Sequence, residues 1–408
     1  MAMRVVSADW IVLPERELAR GAIVLDDQGV VAHVGEIDAM RADTRFSSLP
    51  VESIRGVVLP ALVNAHTHVE LSALRGRVAS GGGFAAWAPR LIAARAALDP
   101  DEETRGIAAG VRELRAFGTG FVGDVTNTLG AVIPLANAGI GGAAFHEVFS
   151  LDDGRARTRL VEMEAQCAAM KWPRGVRYAV APHTLFTLGG AVVRELVQNA
   201  RNRGEPTSLH LAEHEGERRA LERGEGPVVE WLSAQLRIDA SALPWPKMGP
   251  IALADELGAL GPHVLVVHLT DATEAEIATV AARGACAVLC PRSNLWIEGR
   301  VPNVMAMRRA GLRLALGTDS LASNDSLDVL AEAKVLAERF PDVPPRALVS
   351  WATRGGAMAL GLSQAGTIEV GKAPGLLAIE GDVSGDPCAW ILADLSRPRR
   401  FVAQAGVS

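Results

Sequence analysis

Two histidines two residues apart, His66 and His68, stand at the end of an apolar run from Val57 to Val63. In an extended chain residues i and i+2 face the same side, so both imidazoles can meet one point, which is half of a metal site. Glu70 continues that face toward solvent. A lone His-x-His after a strand is more often a pair of polar loop residues, so the case rests on what other segments bring. TSLHLAEH places His210 and Glu213 at a strand end, VLVVHLT places His268, LALGTDS places Asp319 after Gly317, and AVAPHT places His183. Each has a plain alternative: a satisfied core histidine for His268 or His183, a helix N-cap for Asp319, a solvated loop acid for Glu213. Five of the nine histidines at four strand ends, all the same end, outweigh those alternatives together. His210 and Glu213 are three apart and would point to opposite faces of an ideal strand. The strand is therefore expected to stop near Leu211, with Glu213 turning back in the loop.

The elements that must position these residues alternate along the middle of the chain. Strand-like runs are read at 57–64, 120–126, 142–149, 176–183, 207–211, 263–269, 285–290 and 312–317. Between them lie helical patterns such as DEETRGIAAGVRELRAFG, RARTRLVEMEAQCAAM, GGAVVRELVQNARNRG and DATEAEIATVAARG; the last two end at a Gly after Arg, a common C-cap signature. Eight strands alternating with helices predict an α/β fold, a (β/α)8 TIM barrel, with chemistry at the C-terminal ends of the strands. Residues 1–56 and 363–408 carry short β-like runs, including GAIVLDDQGVVAHVGEI with a hairpin turn at Asp-Asp-Gln-Gly. They predict a small β-sandwich formed from both chain termini, flanking a catalytic barrel over 57–362. The Pro-punctuated insert SALPWPKMGP, 241–250, is expected to cover the site.

Composition narrows the class. The 408 residues are 49% hydrophobic and 22% charged, which fits a soluble globular protein. A net charge of -6 argues against a nucleic-acid or anionic-membrane partner. Four cysteines without framework spacing fit a reducing cytoplasm. The start lacks a long apolar segment, and no apolar run approaches bilayer length, so no membrane partner is expected and the expected location is the cytoplasm.

The runs NAHTHVELSALRG, HLAE at 210–213, VVH at 266–268, CPRSNL at 290–295 and LGTDSLASND at 316–325 resemble the amidohydrolase superfamily, in its nucleoside and nucleobase deaminase branch. The resemblance covers nearly the whole chain, including the tail GTIEVGKAPGLLAI. It implies a metal-dependent hydrolytic deaminase with His66, His68, His210 and Asp319 as metal ligands. It also implies that Glu213 is the proton shuttle and that His268 holds the attacking water or its oxyanion. The chemistry is consistent. Three imidazoles and a carboxylate leave a position for water, whose pKa a bound cation lowers toward neutrality. Asp319 can accept the water's proton and Glu213 can protonate a ring nitrogen. Binuclear relatives carry a bridging lysine on the fourth strand. VRYAVAPHT has none, so one divalent ion is expected, zinc first, with iron or manganese as alternatives.

The substrate follows from finer likenesses. Thioether-adenosine deaminases carry Phe-Glu-Glu-Trp after the first strand, whereas GGGFAAW has Ala85 and Ala86. HTHVELS with Glu70 and FHEVFS with Glu147 look more like the aminodeoxyfutalosine deaminases of the alternative menaquinone pathway. Their substrate is an adenine nucleoside extended by a carboxyphenyl ketone arm. On this reading Glu70, Glu147 and His183 contact the substrate, and Arg75 or Arg292 in mouth loops meets the arm's carboxylate. Trp87 could stack on a ring, although a helix-face core role fits it better. Another purine or nucleoside (S-adenosylhomocysteine, methylthioadenosine, guanine) remains an alternative, as do a cyclic-amide or imidazolone hydrolase and a metal-binding protein without catalysis. The small-molecule nucleoside is the expected partner, and a homodimer is compatible with the sequence.

Overall fold

The computed structural model describes residues 3–405. Eight parallel strands close the central barrel: β5 (Leu62–Thr67), β6 (Thr119–Thr126), β7 (Gly141–Val148), β8 (Val176–Pro182), β9 (Thr207–Leu211), β10 (Val264–His268), β11 (Cys286–Leu289) and β12 (Arg313–Leu316). They pair in sequence as β5-β6-β7-β8 and β9-β10-β11-β12. The two halves meet at seams built by residues of chemical interest. The N–H groups of Thr318 and Asp319 donate to the His66 carbonyl at 3.0 and 3.1 Å, and the His210 N–H donates to the His183 carbonyl at 3.1 Å. The backbone bonds that close the barrel are thus made by residues of the histidine cluster.

Both faces of these strands are buried, which is why they read as near-continuous apolar runs. Val63, Ala65, Phe121, Phe145, Leu265, Val267 and Val288 fill the interior. Leu62, Leu209, Leu211, Val264, Val266 and Leu314 face outward into the layer of helices. The helices start where the sequence supplies caps. Asp99 and Glu102 form a reciprocal capping box ahead of the helix Pro100–Ala116, and Thr273 and Glu276 do the same for Glu274–Ala282. The helix Gly190–Arg203 ends on Gly204 at φ +66°, the left-handed cap predicted from its sequence.

The remaining strands form a six-stranded sheet from both ends of the chain, β1 (Arg4–Val12), β2 (Glu17–Leu25), β3 (Val31–Glu36), β4 (Val51–Pro60), β13 (Pro374–Glu380) and β14 (Arg399–Ala405), in the order β14-β13-β4-β1-β2-β3. The border placed at residue 57 falls inside β4, because Val57–Pro60 pair antiparallel with β13 before the chain enters the barrel at Leu62. In the predicted hairpin turn, Asp26 Oδ1 accepts the N–H groups of Gln28 and Val30 at 2.9 and 2.8 Å. Arg399 locks this sheet to the barrel through a two-pronged pair with the Asp328 carboxylate, 2.8 Å on each side, with both side chains almost fully buried. Among the described residues no helix is long and apolar enough to cross a membrane.

Candidate functional site

At the C-terminal mouth of the barrel a cavity of about 540 Å³ opens over His68, His210, His268, Glu213 and Asp319. The ring centroids of His66 lie 4.9 Å from those of both His68 and His210, and His68 lies 5.6 Å from His210. Asp319 Oδ1 is 3.8 Å from His66 Nε2 and 3.5 Å from His68 Nε2. Ligand atoms of His66, His68 and Asp319 fall within 4.8 Å of one another, as do those of His66, His210 and His268. Burial pushes the His66 imidazolium well below its ordinary pKa and takes His210 down to about 3, so these rings offer lone pairs at neutral pH. His66 is fully buried, yet neither ring nitrogen has a hydrogen-bond partner within the protein. Unpaired buried nitrogens are costly, and a divalent cation shared with His68, His210 and Asp319 is the partner this donor set fits. Ser293 Oγ (2.5 Å) and Ser323 Oγ (3.0 Å) both donate to Asp319 Oδ2, which leaves Oδ1 turned toward the imidazoles.

Strand alternation alone does not deliver these side chains. Leu265 and Val267 of β10 point into the barrel, so period two would send His268 to the helix side. Instead His268 has φ +78° and Leu269 φ +52°, and the same left-handed conformation recurs at Ala212 (φ +49°) and Asp319 (φ +57°). Non-glycine residues hold this region at a cost, and three strand ends adopt it to turn a functional group into the mouth. Asn294 Nδ2 donates to His268 Nδ1 at 3.1 Å. With the Asn294 amide in this orientation the ring proton sits on Nε2, which lies 3.6 Å from Glu213 Oε1. Glu213 is buried, and burial, reinforced by the charges of Asp319, Glu298 and Glu217, raises its pKa well above the ordinary carboxyl range. The shift favours the protonated form of a carboxyl that faces the cavity.

The other residues singled out from the sequence divide. Glu147, at the end of β7, lines the cavity with Oε1 unpaired and 3.5 Å from His210 Nδ1. His183 also lines it, its Nδ1 2.7 Å from Thr187 Oγ1. Glu70 borders the cavity, but its carboxylate is engaged by Arg95 (2.9 Å), Thr126 Oγ1 (2.9 Å), Asn127 N–H (3.0 Å) and both the N–H and hydroxyl of Thr128. Arg75 does not reach the cavity: it pairs with Glu113 and with the carbonyl of Asp325, because those partners satisfy its guanidinium on the outer surface. Arg292 pairs with Asp325 in the same region. The insert 241–250 does not line the cavity either. It packs beside the helices Glu215–Arg223 and Pro227–Leu236, with Trp245 Nε1 bonded to the Ala240 carbonyl.

The walls come instead from two helices. Phe84, Trp87, Leu91 and Arg95 of the helix Phe84–Ala96 form one side, and Trp231, Leu232 and Leu236 of the helix Pro227–Leu236 form the other. The Phe84 N–H donates to Glu298 Oε1 at 2.7 Å, which ties the first wall to the helix Pro291–Glu298. Phe149, Leu236 and Ile92 at the rim stay 56%, 47% and 44% exposed. Arg95 is the one Arg or Lys among the described residues lining the cavity, its guanidinium steadied by Glu70 and by Asn127 Oδ1 (3.1 Å). Sequence reasoning passed over it, although its signal is present: 84, 87, 88, 91, 92 and 95 is the spacing of a single helix face.

The profile of the amidohydrolase family matches residues 57–402. The chain is 31% identical over 358 residues to an aminodeoxyfutalosine deaminase of Deinococcus radiodurans, covering 84% of this chain and 81% of that protein. It is 30% identical over 391 residues to a 5-methylthioadenosine/S-adenosylhomocysteine deaminase of Halobacterium salinarum, covering 92% and 84%. Among solved structures, Helicobacter pylori aminofutalosine deaminase in complex with methylthio-coformycin superposes with a TM-score of 0.88 at 20% identity over 98% of each chain. An adenosine deaminase of Xanthomonas campestris with bound zinc superposes with a TM-score of 0.76 at 26% identity, covering all of this chain and 90% of that one.

Proposed function

This chain belongs to the amidohydrolase family and is a hydrolytic deaminase, and from that premise we propose that its substrate is 6-amino-6-deoxyfutalosine, converted to futalosine and ammonia for menaquinone synthesis in the cytoplasm. The observation that carries the substrate is the shape of the cavity. Its floor holds the histidine cluster with Glu213, and its outer half is apolar, exposed at the rim and supplied, among the described residues, with one permanent cation, Arg95. An adenine at the floor leaves the outer half to the carboxyphenyl arm, with Trp87, Phe149 and Leu236 against the ring and Arg95 toward the carboxylate. Small 5′ substituents such as methylthio would leave that half wet and Arg95 with Glu70 and Asn127 alone as partners. On this reading Glu147, with an unpaired buried oxygen, and His183 meet the ribose or purine, while Glu70 acts by holding Arg95 and the 126–128 loop.

One divalent ion is proposed, held by His66, His68, His210 and Asp319. Zinc is favoured by three imidazoles and a carboxylate, and β8 has no lysine to bridge a second ion. When bound it supplies Lewis acidity and a water of lowered pKa. The chain's own residues then move the protons. Glu213 hands its proton to the ring nitrogen N1, which makes C6 electrophilic. Asp319 Oδ1 takes a proton from the attacking water, while the Nε2–H of His268 hydrogen-bonds the oxygen as it adds. Return of a proton to the exocyclic nitrogen, through Asp319 or Glu213, lets ammonia leave, so one water is consumed for each amine lost. The test is kcat/KM for aminodeoxyfutalosine, adenosine, methylthioadenosine, S-adenosylhomocysteine and guanine under one condition, with ammonia and product mass both followed. Aminodeoxyfutalosine is expected to lead. If a thioether adenosine or guanine leads, this substrate assignment falls, and ring opening without ammonia would remove the deaminase reading itself.

A further inference from the structure

Behind the site lies a buried acid that the chemistry above does not use. Glu217, in the first turn of the helix Glu215–Arg223, is 1% exposed, and its Oε1 has no hydrogen-bond partner within the protein. Burial pushes its carboxyl up to about 8, while the neighbouring N–H groups of Glu213 and Ala212 pull the other way. A buried, half-satisfied carboxyl lowers stability, and an apolar side chain would fill this space at less cost. Its other oxygen explains its presence. Glu217 Oε2 accepts the backbone N–H of Glu213 at 3.0 Å. That N–H follows the left-handed residue Ala212, whose carbonyl is held on the opposite side by the Asp271 N–H at 2.8 Å. The turn is the device that brings Glu213 back to the mouth after β9, where an uninterrupted strand would have carried it to the opposite face from His210. A non-glycine residue leaves the left-handed region unless its neighbours hold it there.

We propose that Glu217 is a positioning residue: its Oε2 clasps the Glu213 N–H and fixes the Ala212–Glu213 turn that aims the Glu213 carboxyl into the cavity. This rests on the reading of Glu213 as the proton shuttle. The test uses the metal-loaded full chain with its best nucleoside substrate and three replacements at 217, each also built in the Glu213→Gln background. Glu217→Ala removes the acceptor and is expected to lower kcat by about 10- to 100-fold, the scale of a displacement near 1 Å, with KM and metal content within about twofold. Glu217→Gln keeps an oxygen for the N–H and is expected to recover most of that loss. Glu217→Asp keeps the carboxyl but withdraws the oxygen by one methylene, and is expected to resemble the alanine variant. In the Glu213→Gln background Glu217→Ala should cost less than about twofold more, because the group it aims is already disabled. Equal losses in both backgrounds, or an aspartate variant more active than the glutamine one, would overturn the positioning role alone. The Gln and Asp pair decides this even if the alanine variant does not fold. Near-normal turnover of Glu213→Gln by itself would remove the shuttle, and this role with it.

Discussion

Replacing Arg95 by Met isolates the cation at the outer end of the cavity. Methionine keeps an unbranched apolar stem on the helix face shared with Leu91 and Trp87 while removing the guanidinium. The loss is confined, because Glu70 keeps four other donors, the hydroxyls of Thr126 and Thr128 and the N–H groups of Asn127 and Thr128. A charged hydrogen bond of this kind contributes about 1.5–3 kcal/mol. The Arg95 side chain is 35% exposed, so solvent screening places it in the lower part of that range, about 1.5–2 kcal/mol. That corresponds to a fall of about 10- to 30-fold in kcat/KM for aminodeoxyfutalosine. For 5′-deoxyadenosine, which has no arm, the change should stay within about threefold. Raising the salt concentration should depress the wild-type value for aminodeoxyfutalosine more than that of the variant. A continuous ammonia-coupled assay on both substrates reads all four values. Equal losses for the two substrates would mean that Arg95 only braces Glu70 and the 126–128 loop, and the arm would need another anchor.

Glu213→Gln is expected to keep its metal and its KM while kcat falls by about 10²- to 10⁴-fold, the range for loss of a general acid; near-normal turnover with unchanged metal content would exclude the shuttle role. Dialysis against a chelator should abolish activity, and restoration should saturate at about one divalent ion per chain, read by elemental analysis, with His66→Ala and Asp319→Ala refractory to rescue. Two tightly held ions that are both required would contradict the single-ion reading. Arg399→Met strands the buried Asp328 carboxylate that joins the terminal sheet to the barrel, and is expected to cost about 3–5 kcal/mol of stability in denaturant titration. A midpoint within error of the wild type would show that this pair does not hold the two parts together.

The clustering of these histidines and acids at the mouth was legible because the residues carry chemistry in their type and sit at strand ends. His66 and His68 share a face by simple alternation, and the eight strands stood out because both their faces are buried. What escaped depends on geometry without a residue signature. The break after Leu211 could be read from the offset of three between His210 and Glu213, but the left-handed turns at His268 and Asp319 involve no glycine and nothing in the sequence marks them. Arg75 looked free in a mouth loop, because its partner Glu113 lies 38 residues away on another helix. Arg95 is different: its helix-face spacing was visible, but only Trp87 on that face had been weighed. The cover over the site likewise came from the regular helix Pro227–Leu236 rather than from the proline-rich insert after it, since prolines mark irregular backbone and not position over a barrel mouth.

The most direct test of the substrate assignment is a competition in one vessel. The zinc-reconstituted protein is given equimolar aminodeoxyfutalosine and methylthioadenosine, each well below its KM, and both deaminated products are followed by mass spectrometry. The ratio of the two initial rates is then the ratio of the two kcat/KM values. If the arm is matched by the apolar rim and Arg95, futalosine should form first, by a ratio of at least about tenfold, as an interaction of about 1.4 kcal/mol or more requires. Methylthioinosine forming first, or the two products forming at equal rates, would contradict the assignment.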